Sequence, residues 1–600
     1  MRSSKRSDRI GHPNMTNEPM RIATRDVPPR TAWALEQAGV HPLLARLFAA
    51  RGVKSADELE DSLARLLPPA GLLGAAEAAS LLADAIGSGS RICIVADYDC
   101  DGATACAVML RGLKMLGADP ATLAYVVPDR RVHGYGLTPT IVELAIATAA
   151  PEVLITVDNG IASLEGIAHA AAHGLTVVVT DHHLPAQIDG RVVLPEADVV
   201  VDPNQPDCTF ASKHLAGCGV AFYVLLALRA ELRERGEFTP ADQPRLDALL
   251  DLVALGTVAD VVRLDRNNRC LVSQGLKRIR AGRMQPGIAA LFAVAGRDPR
   301  EAGAADFGFA LGPRLNAAGR LADMTLGIEC LLADDASRAQ EIAAALDAIN
   351  RERRQLEAGM RDDAEAMIDR ALAAAGGVEP AFAIFDPSFH EGVVGIIASR
   401  LKDRLHRPTF VFALGQDGLL KGSGRSIEGL HLRDALDLVS KREPALLKRF
   451  GGHAMAAGCS IAASDLDAFR TALHAATSSL AATPSEQRVA TDGPLAAEHW
   501  SAAIVRLIER EVWGAAFEAP VFCDAVEVVS QRLVGEKHLK LSVRMHGVLR
   551  EAIWFGRVEP LEGRVRLAYR LALDSYNGNE RLQMVVVAAA ADIQASPSSA

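Results

Sequence analysis

Three short segments combine residue types that bind metal with positions that would gather them. Asp97, Asp99 and Asp101 lie in DYDCDG, directly after the β-branched run RICIVA (91–96). Asp158 directly follows VLITV (153–157), and Asp181, His182 and His183 directly follow LTVVVT (175–180). Each apolar run is short and bounded by turn residues, which predicts a buried strand. In an open α/β sheet, ligands gather at the carboxyl ends of the strands, where the strand order reverses. Three strand ends would carry five Asp and two His to one rim. Like charges at that density are costly unless cations neutralise them. Carboxylate mixed with imidazole suits a first-row divalent ion, and Mn²⁺ better than Mg²⁺, which takes oxygen ligands almost alone. The ligands suffice for two ions, and two ions ~3.5–4 Å apart clamp the attacking and leaving oxygens of a displacement at phosphorus.

Singly, each segment is weak. An acidic triplet also forms plain turns, Asp158-Asn159-Gly160 has turn chemistry, and paired histidines also serve structure. Joint placement after successive strands carries the metal reading. Asp260 is a further candidate because it closes the apolar run LVALGTVADVV (252–262), where an unpaired charge is out of place. Its alternative is a helix-end Asp facing water.

The elements that must position these groups follow from periodicity. TLAYVV (122–127) and DVVVD (198–202) predict two more strands, and helical stretches alternate with all five. That alternation implies an α/β class with a doubly wound, mostly parallel sheet. Arg30 to Ser88 reads as helical, with Ser55 as an N-cap answered by Glu58. Residues 215–283 read as helices. Residues 334–375 hold one amphipathic pattern, either a single strut of ~60 Å or two helices with a break. AFAIFD (381–386) and TFVFAL (409–414) flank a helical stretch and predict a second, smaller α/β domain. SSLAATPSEQ (478–487) reads as a linker, and the β runs beyond it predict a small barrel. The expected domains are a disordered extension (1–22), a catalytic α/β domain (23–333), a long helix (334–376), a second α/β domain (377–482) and a β-barrel (488–592).

Composition narrows the class. The 600 residues are 49% hydrophobic and 23% charged, which excludes a largely disordered or collagen-like chain. The net charge of −10 speaks against a blanket electrostatic coat for nucleic acid, though not against a local basic groove. Nine scattered cysteines without a CxxC pair read as free thiols of a reducing compartment. Without a long apolar run or a secretory leader pattern, the expectation is a cytoplasmic protein with no membrane partner.

DYDCDG, the Asp of TVDNGI and TDHH resemble the successive motifs of the DHH phosphoesterase superfamily. PDRRVHGYGL (128–137), GPRLNAAGRL (312–321), HEGVVGIIASRL (390–401), GSGRS (422–426) and GGHAMAAG (451–458) are similar, in order, to motifs of its RecJ branch. So are HLKL (538–541), IWF (553–555) and YNG (576–578) in the barrel region. The resemblance implies a DHH domain, a DHHA1 domain and an OB-like barrel. It implies 5′-to-3′ hydrolysis of single-stranded DNA to nucleoside 5′-monophosphates with two divalent cations, Mn²⁺ or Mg²⁺, in repair and recombination. Asp99, Asp101, Asp158, His182 and Asp260 match ligand positions, with Asp158 bridging. Asp97 and Asp181 are supporting acidic positions, and His183 matches the histidine at the scissile phosphate. DNA contacts are implied for Arg130, Tyr135, Arg314, Asn316, Arg320, His390, Arg400, Arg425, Gly451, Gly452 and His453, and for His538 and Lys540 in the barrel. Asn316 equally suits a cap, and Trp554 and Phe555 suit a core. GGHAMAAG reads as a Gly-rich loop open to phosphate. A single-strand-binding protein, a repair helicase and a monomeric state also rest on the resemblance. The competing readings are a phosphodiesterase for short or cyclic oligonucleotides and a non-catalytic DNA-binding scaffold. His133 departs from the family's acidic residue, and VWGAAFEAPVF (512–522) lacks its Gly-Asn-Pro element, so packing there is open.

Overall fold

The computed structural model describes residues 21–591 except 130–131, 134, 189, 376–378, 481–487 and 575–579. The chain forms two compact units. One holds residues 26–354 with 503–520; the other holds 355–502 and 521–600 with the segment up to Arg25.

The first unit is built on five parallel strands: β1 (Ile92–Ala96), β2 (Leu123–Val126), β3 (Val153–Val157), β4 (Thr176–Thr180) and β5 (Val199–Val201). All five lie where the β-branched runs predict them. Their order is β2-β1-β3-β4-β5. The chain leaves β1 to one side, makes β2, and returns across to make β3, so the order reverses between β1 and β3. That reversal opens a crevice at the carboxyl ends of those two strands. Every residue of β1 and β3 is buried, as a sheet covered on both faces requires. Helices α1 (Cys100–Met115), α2 (Pro139–Ala149), α3 (Leu164–Ala172), α4 (Gly217–Glu234), α5 (Leu250–Ala259), α6 (Arg266–Arg280) and α7 (Gly312–Leu321) complete the frame of the site. Helix α8 (Ala336–Ala375) is one uninterrupted 40-residue helix, which settles the strut against the broken pair.

In the second unit, strands β6 (Phe382–Phe385), β7 (Thr409–Leu414), β8 (Leu419–Arg425), β9 (Arg449–Gly452) and β10 (Ala456–Ala462) form a mixed sheet, with α9 (Val394–Leu405), α10 (Leu432–Arg442) and α11 (Leu466–Leu480). The sheet order is β9-β10-β8-β7-β6, and only β6 and β7 run parallel. The barrel strands β11 (Phe522–Val534), β12 (His538–Met545), β13 (Val548–Phe555), β14 (Arg564–Asp574) and β15 (Arg581–Ala591) close in the order β11-β12-β13-β15-β14. Closure removes the exposed edges that an open sheet of this length would present.

Several expectations need correction. Arg21–Thr24 is a strand paired in parallel with Arg488–Thr491, and Ile22 is buried against Val521, Cys523 and Ala568. Residues 21–22 therefore belong to the folded unit; residues 1–20 lie outside the described residues. Ser55 makes no side-chain cap, and the segment is only a four-residue 3₁₀ turn. Gly52, at φ +84°, ends the preceding helix, and Pro68-Pro69 forbid its continuation. Residues 478–480 close helix α11 rather than open a linker, while 481–487 lie outside the described residues. Residues 503–520 pack within the first unit, not with the barrel. Trp513 and Phe517 stack on Phe48 at 5.6 and 6.0 Å between ring centroids, and burying three aromatics outweighs chain proximity. GGHAMAAG forms a hairpin: Gly451–Gly452 end β9, Ala456 starts β10, and residues 453–455 are the connecting loop. Among the described residues no single helix is long and apolar enough to cross a membrane.

Candidate metal centre

Asp97 and Asp99 leave β1, and Asp158 leaves β3, on the two sides of the crevice. Asp99 is the N-cap of α1; its Oδ1 accepts the Asp101 and Gly102 amides at 2.9 and 3.0 Å. Asp101, in the first turn of α1, is fully buried. Its carboxylate accepts the amides of Gly217 (2.5 Å) and Cys218 (3.1 Å) at the start of α4. Burial, then the neighbouring Asp99, still raises Asp101 to about 6.

Asp158 sits at φ +63°, a left-handed conformation that Asp tolerates better than most side chains. Its Oδ1 lies 3.0 Å from His182 Nε2. Both atoms are buried, and neither makes a hydrogen bond. Two buried polar atoms facing one another unbonded cost several kcal/mol (~2–7) unless something else engages both. The Asp260 Oδ2, at the C-cap of α5, is 3.5 Å from the same His182 Nε2. Burial and then His183 lower His182 to about 4, so its ring is neutral and its lone pair free for a cation. Asp158 and Asp260 are pushed well above the carboxylate range, first by burial and then by surrounding carboxylates. Three overlapping clusters fall within ligand reach: Asp97–Asp99–Asp158, Asp101–His182–Asp260 and Asp158–His182–His183. Orphaned donors and acceptors, a neutral imidazole and crowded carboxylates fit a pair of divalent cations.

Asp181 differs from the others. Its Oδ1 accepts from the His182 amide (2.7 Å), the His183 amide (3.1 Å) and the His183 Nδ1 (2.7 Å), and its Oδ2 from the Ile161 amide (2.9 Å). Burial raises its pKa, but His183 overrides that and the carboxyl is held below its usual range. A carboxylate so occupied orients its neighbours. Burial disfavours a charged His183 ring, but the Asp181 carboxylate wins and lifts it to about 9. In the metal-free crevice Asp181 thus favours the protonated form of His183. Tyr135, half-exposed, meets it edge-on at 5.8 Å, with its hydroxyl 3.3 Å from the ring nitrogens.

Other expected residues fall in varied places. Asn316 Oδ1, on α7, accepts the Cys100 amide at 2.8 Å, so it caps α1 from 216 residues away. Arg314 is turned inward, bonding the Ala310 carbonyl (2.6 Å) and Asp347 (2.9 Å), which removes it as a DNA contact. Arg320 ends α7 beside Gly319, which backs onto the Tyr98 carbonyl. Arg130 lies outside the described residues. In the second unit, Arg425 ends β8 with Nη1 on Ser423 Oγ (3.0 Å) and the Gly424 carbonyl (2.9 Å). A Cβ at Gly395, in the first turn of α9, would sit 3.0 Å from the Arg425 guanidinium. His390 lies just before α9, its Nδ1 accepting the Gly392 amide at 3.1 Å. Ala456 pairs with Arg425, so the hairpin bearing Gly451, Gly452 and His453 lies alongside. Arg400 is exposed, 3.5 Å from Glu357. In the barrel, Lys540 pairs with Glu551 at 3.0 Å, and His538 accepts the Gly556 amide. The core reading fails for Phe555, which is 57% exposed and edge-on to His538 at 5.2 Å.

Sequence reasoning missed Gly217 and Cys218, in LAGCG, as the donors to Asp101. A Cβ at Gly217 would lie 2.5 Å from Asp158 Cβ. The one available signal was a small-residue run opening a long apolar helix. Gly217→Ala is expected to weaken Mn²⁺ binding about 10–100-fold, as loss of an outer support does, without unfolding the chain. Titration of Mn²⁺ against intrinsic fluorescence, with circular dichroism for the fold, checks this.

Three family models match the chain: "DHH family, N-terminal domain" at residues 91–257, "DHHA1 domain" at 378–479 and "RecJ OB domain" at 491–588. The chain is 46% identical over 560 residues to the "Single-stranded-DNA-specific exonuclease RecJ" of Salmonella typhimurium, covering 92% of this chain and 96% of that one. It is similar in structure to RecJ of Thermus thermophilus solved with Mn²⁺, at TM-score 0.77 and 31% identity, covering 96% of this chain and 80% of that one. The same bacterium's RecJ solved with Mg²⁺ gives TM-score 0.72 and 29% identity, covering 95% and 78%.

Proposed function

The chain belongs to the RecJ family of single-stranded-DNA-specific exonucleases, and on that premise we propose that it is a metal-dependent exonuclease of single-stranded DNA. Cleavage proceeds from the 5′ end and releases nucleoside 5′-monophosphates, in repair and recombination. The observation that carries this is the buried, unbonded pair Asp158 Oδ1 and His182 Nε2 at the crevice between β1 and β3.

Asp99, Asp101, Asp158, His182 and Asp260 would hold two divalent cations, Mn²⁺ or Mg²⁺. Bound there, the cations supply Lewis-acid stabilisation of the oxygens that attack and leave phosphorus. The Asp101 carboxylate is held in place by the α4 amides, and Asp97 adds negative charge beside Asp99 and Asp158. His183, fixed through Nδ1 by Asp181, directs an N–H to a non-bridging phosphate oxygen and answers the charge that grows there. Asn316 positions α1 and with it the Asp99–Asp101 turn. Tyr135 borders His183 where the terminal nucleotide would lie.

The DNA strand is contacted by Arg130, Arg320, His390, Arg400 and Arg425, by the hairpin of Gly451, Gly452 and His453, and by His538 and Lys540 on the barrel. Guanidinium suits bidentate phosphate contact. The exposed Phe555 adds a base-stacking face, the reason for its departure from the core. Phe555→Ala is expected to weaken binding of single-stranded oligonucleotides about 5–100-fold, the equivalent of ~1–3 kcal/mol for one stacked base, while leaving kcat little changed. Fluorescence anisotropy in Ca²⁺ at fixed salt measures it; unchanged affinity removes Phe555 from the surface. All nine cysteines are free and buried, which supports work in the reducing cytoplasm. We place a single-strand-binding protein and a repair helicase among its partners and take it as a monomer.

The deciding assay uses Mn²⁺ with end-labelled single-stranded and duplex DNA. Mononucleotides released from the 5′ end of single strands alone support the reading. Activity confined to dinucleotides or cyclic dinucleotides overturns it.

A further inference from the structure

We propose that the first unit carries a second, separate cation site, formed by Glu143, His169 and His173 and suited to Zn²⁺. His169 and His173 stand four residues apart on α3 and at its C-cap, so they share one face. Glu143 comes from the neighbouring helix α2. The Glu143 Oε1 lies 2.7 Å from His169 Nε2 and 3.4 Å from His173 Nε2. The three ligand atoms all lie within 4.8 Å of one another.

A hydrogen bond behind His173 favours a ligand role for that ring. His173 Nδ1 is 2.9 Å from the His169 backbone carbonyl, to which it donates. That bond places the proton on Nδ1 and leaves the Nε2 lone pair facing Glu143, the tautomer a metal needs. Zn²⁺ with ligands at ~2.0–2.2 Å in a tetrahedron sets them roughly 3.4 Å apart. The His173–Glu143 spacing already has that value, whereas the His169–Glu143 pair, a hydrogen bond at 2.7 Å, must open by roughly 0.7 Å and give up the His169 Nε2 proton to the cation. Both side chains have room to do so, being 32% and 54% exposed. Two imidazoles and one carboxylate suit Zn²⁺, Ni²⁺ or Cu²⁺ over Mg²⁺ and Mn²⁺. Three ligands leave a fourth position to water.

The site is remote from the catalytic crevice. Helix α3 starts six residues after Asp158, at the carboxyl end of β3, and returns to the amino end of β4. His169 and His173 lie on its last turn, at the opposite rim of the sheet from Asp158. A cation there would clasp α2 to α3.

Equilibrium dialysis of the full chain against Zn²⁺ tests this, comparing wild type with His169→Ala, His173→Ala and Glu143→Gln. The catalytic cluster is common to all four proteins, so the difference reports this site alone. Wild type is expected to bind one more equivalent of Zn²⁺ than either histidine variant. Glu143→Gln should retain the site at weaker affinity. Mn²⁺-dependent cleavage of single-stranded DNA should be unchanged throughout, which shows the variants folded. Equal Zn²⁺ stoichiometry in wild type and both histidine variants overturns the proposal.

Discussion

Asp158→Asn is expected to cut Mn²⁺-dependent cleavage of single-stranded DNA by about three orders of magnitude and to raise the melting temperature of the metal-free protein. The loss follows from the cations' share of transition-state stabilisation, several kcal/mol, at ~1.4 kcal/mol per tenfold in rate. Asn keeps the shape, and it is well tolerated at the φ of +63° that Ala would find strained. The gain in stability follows from the charges. Asp158 is buried among Asp101, Asp99, Asp260 and Asp97, and its pKa is raised well above the usual range. A raised carboxyl binds its proton more tightly folded than unfolded, so the metal-free wild type loses stability as pH rises above ~4. The Asn variant does not, and its advantage should grow from about pH 4 toward neutrality. Mn²⁺ should then raise the melting temperature of the wild type and much less that of the variant. Thermal melts at several pH values in EDTA and in Mn²⁺ check both parts. A metal-free variant that melts below wild type at neutral pH would falsify the like-charge account.

His183→Gln is expected to lower kcat about 10²–10³-fold, the cost of removing one donor aimed at developing charge, with Mn²⁺ affinity preserved. Its Nδ1 donates to Asp181 at 2.7 Å, which favours the protonated ring and a donor role over a ligand role. His183 nonetheless lies within ligand reach of Asp158 and His182. The two roles separate cleanly, because a ligand variant loses Mn²⁺ affinity together with rate. Asp181→Asn should fall between, about 10–100-fold down. It keeps a side chain of the same shape but neither orients Nδ1 nor sustains the ring's charge. Rate and Mn²⁺ titration on the same three proteins decide the assignment.

What was legible in the residues was local. Each strand of the catalytic sheet announced itself through a run of Val, Ile and Leu, and Asp97, Asp158 and Asp181 each stood at the first position after one, with Asp99 and Asp101 close behind Asp97. The order β2-β1-β3-β4-β5 then converts sequence position into proximity, because parallel strands put all their carboxyl ends on one rim. Asp260 was readable only as a charge out of place, and the tertiary contact with His182 at 3.5 Å gives it a partner.

Chemistry that depends on distant partners was not legible. Asp181 reads as a supporting acidic position, but which groups it supports comes only from its four hydrogen bonds to Ile161, His182 and His183. Arg314 stands among the implied DNA contacts, yet Asp347 and the Ala310 carbonyl engage it. Residues 503–520 looked like the approach to the barrel, yet Trp513 and Phe517 bury against Phe48, more than 450 positions earlier.

By itself the sequence determined the strands, the residues that crowd one rim and the class of cation they require, since periodicity and strand–turn chemistry act over a few neighbours. Only the tertiary structure decided which of those groups bond one another and which face one another unbonded. That choice rests on Asn316 reaching Cys100, Gly217 and Cys218 reaching Asp101, and His182 Nε2 left unbonded beside Asp158. The contacts of Asn316, Gly217 and Cys218 cross 216, 116 and 117 residues, and no local pattern encodes them.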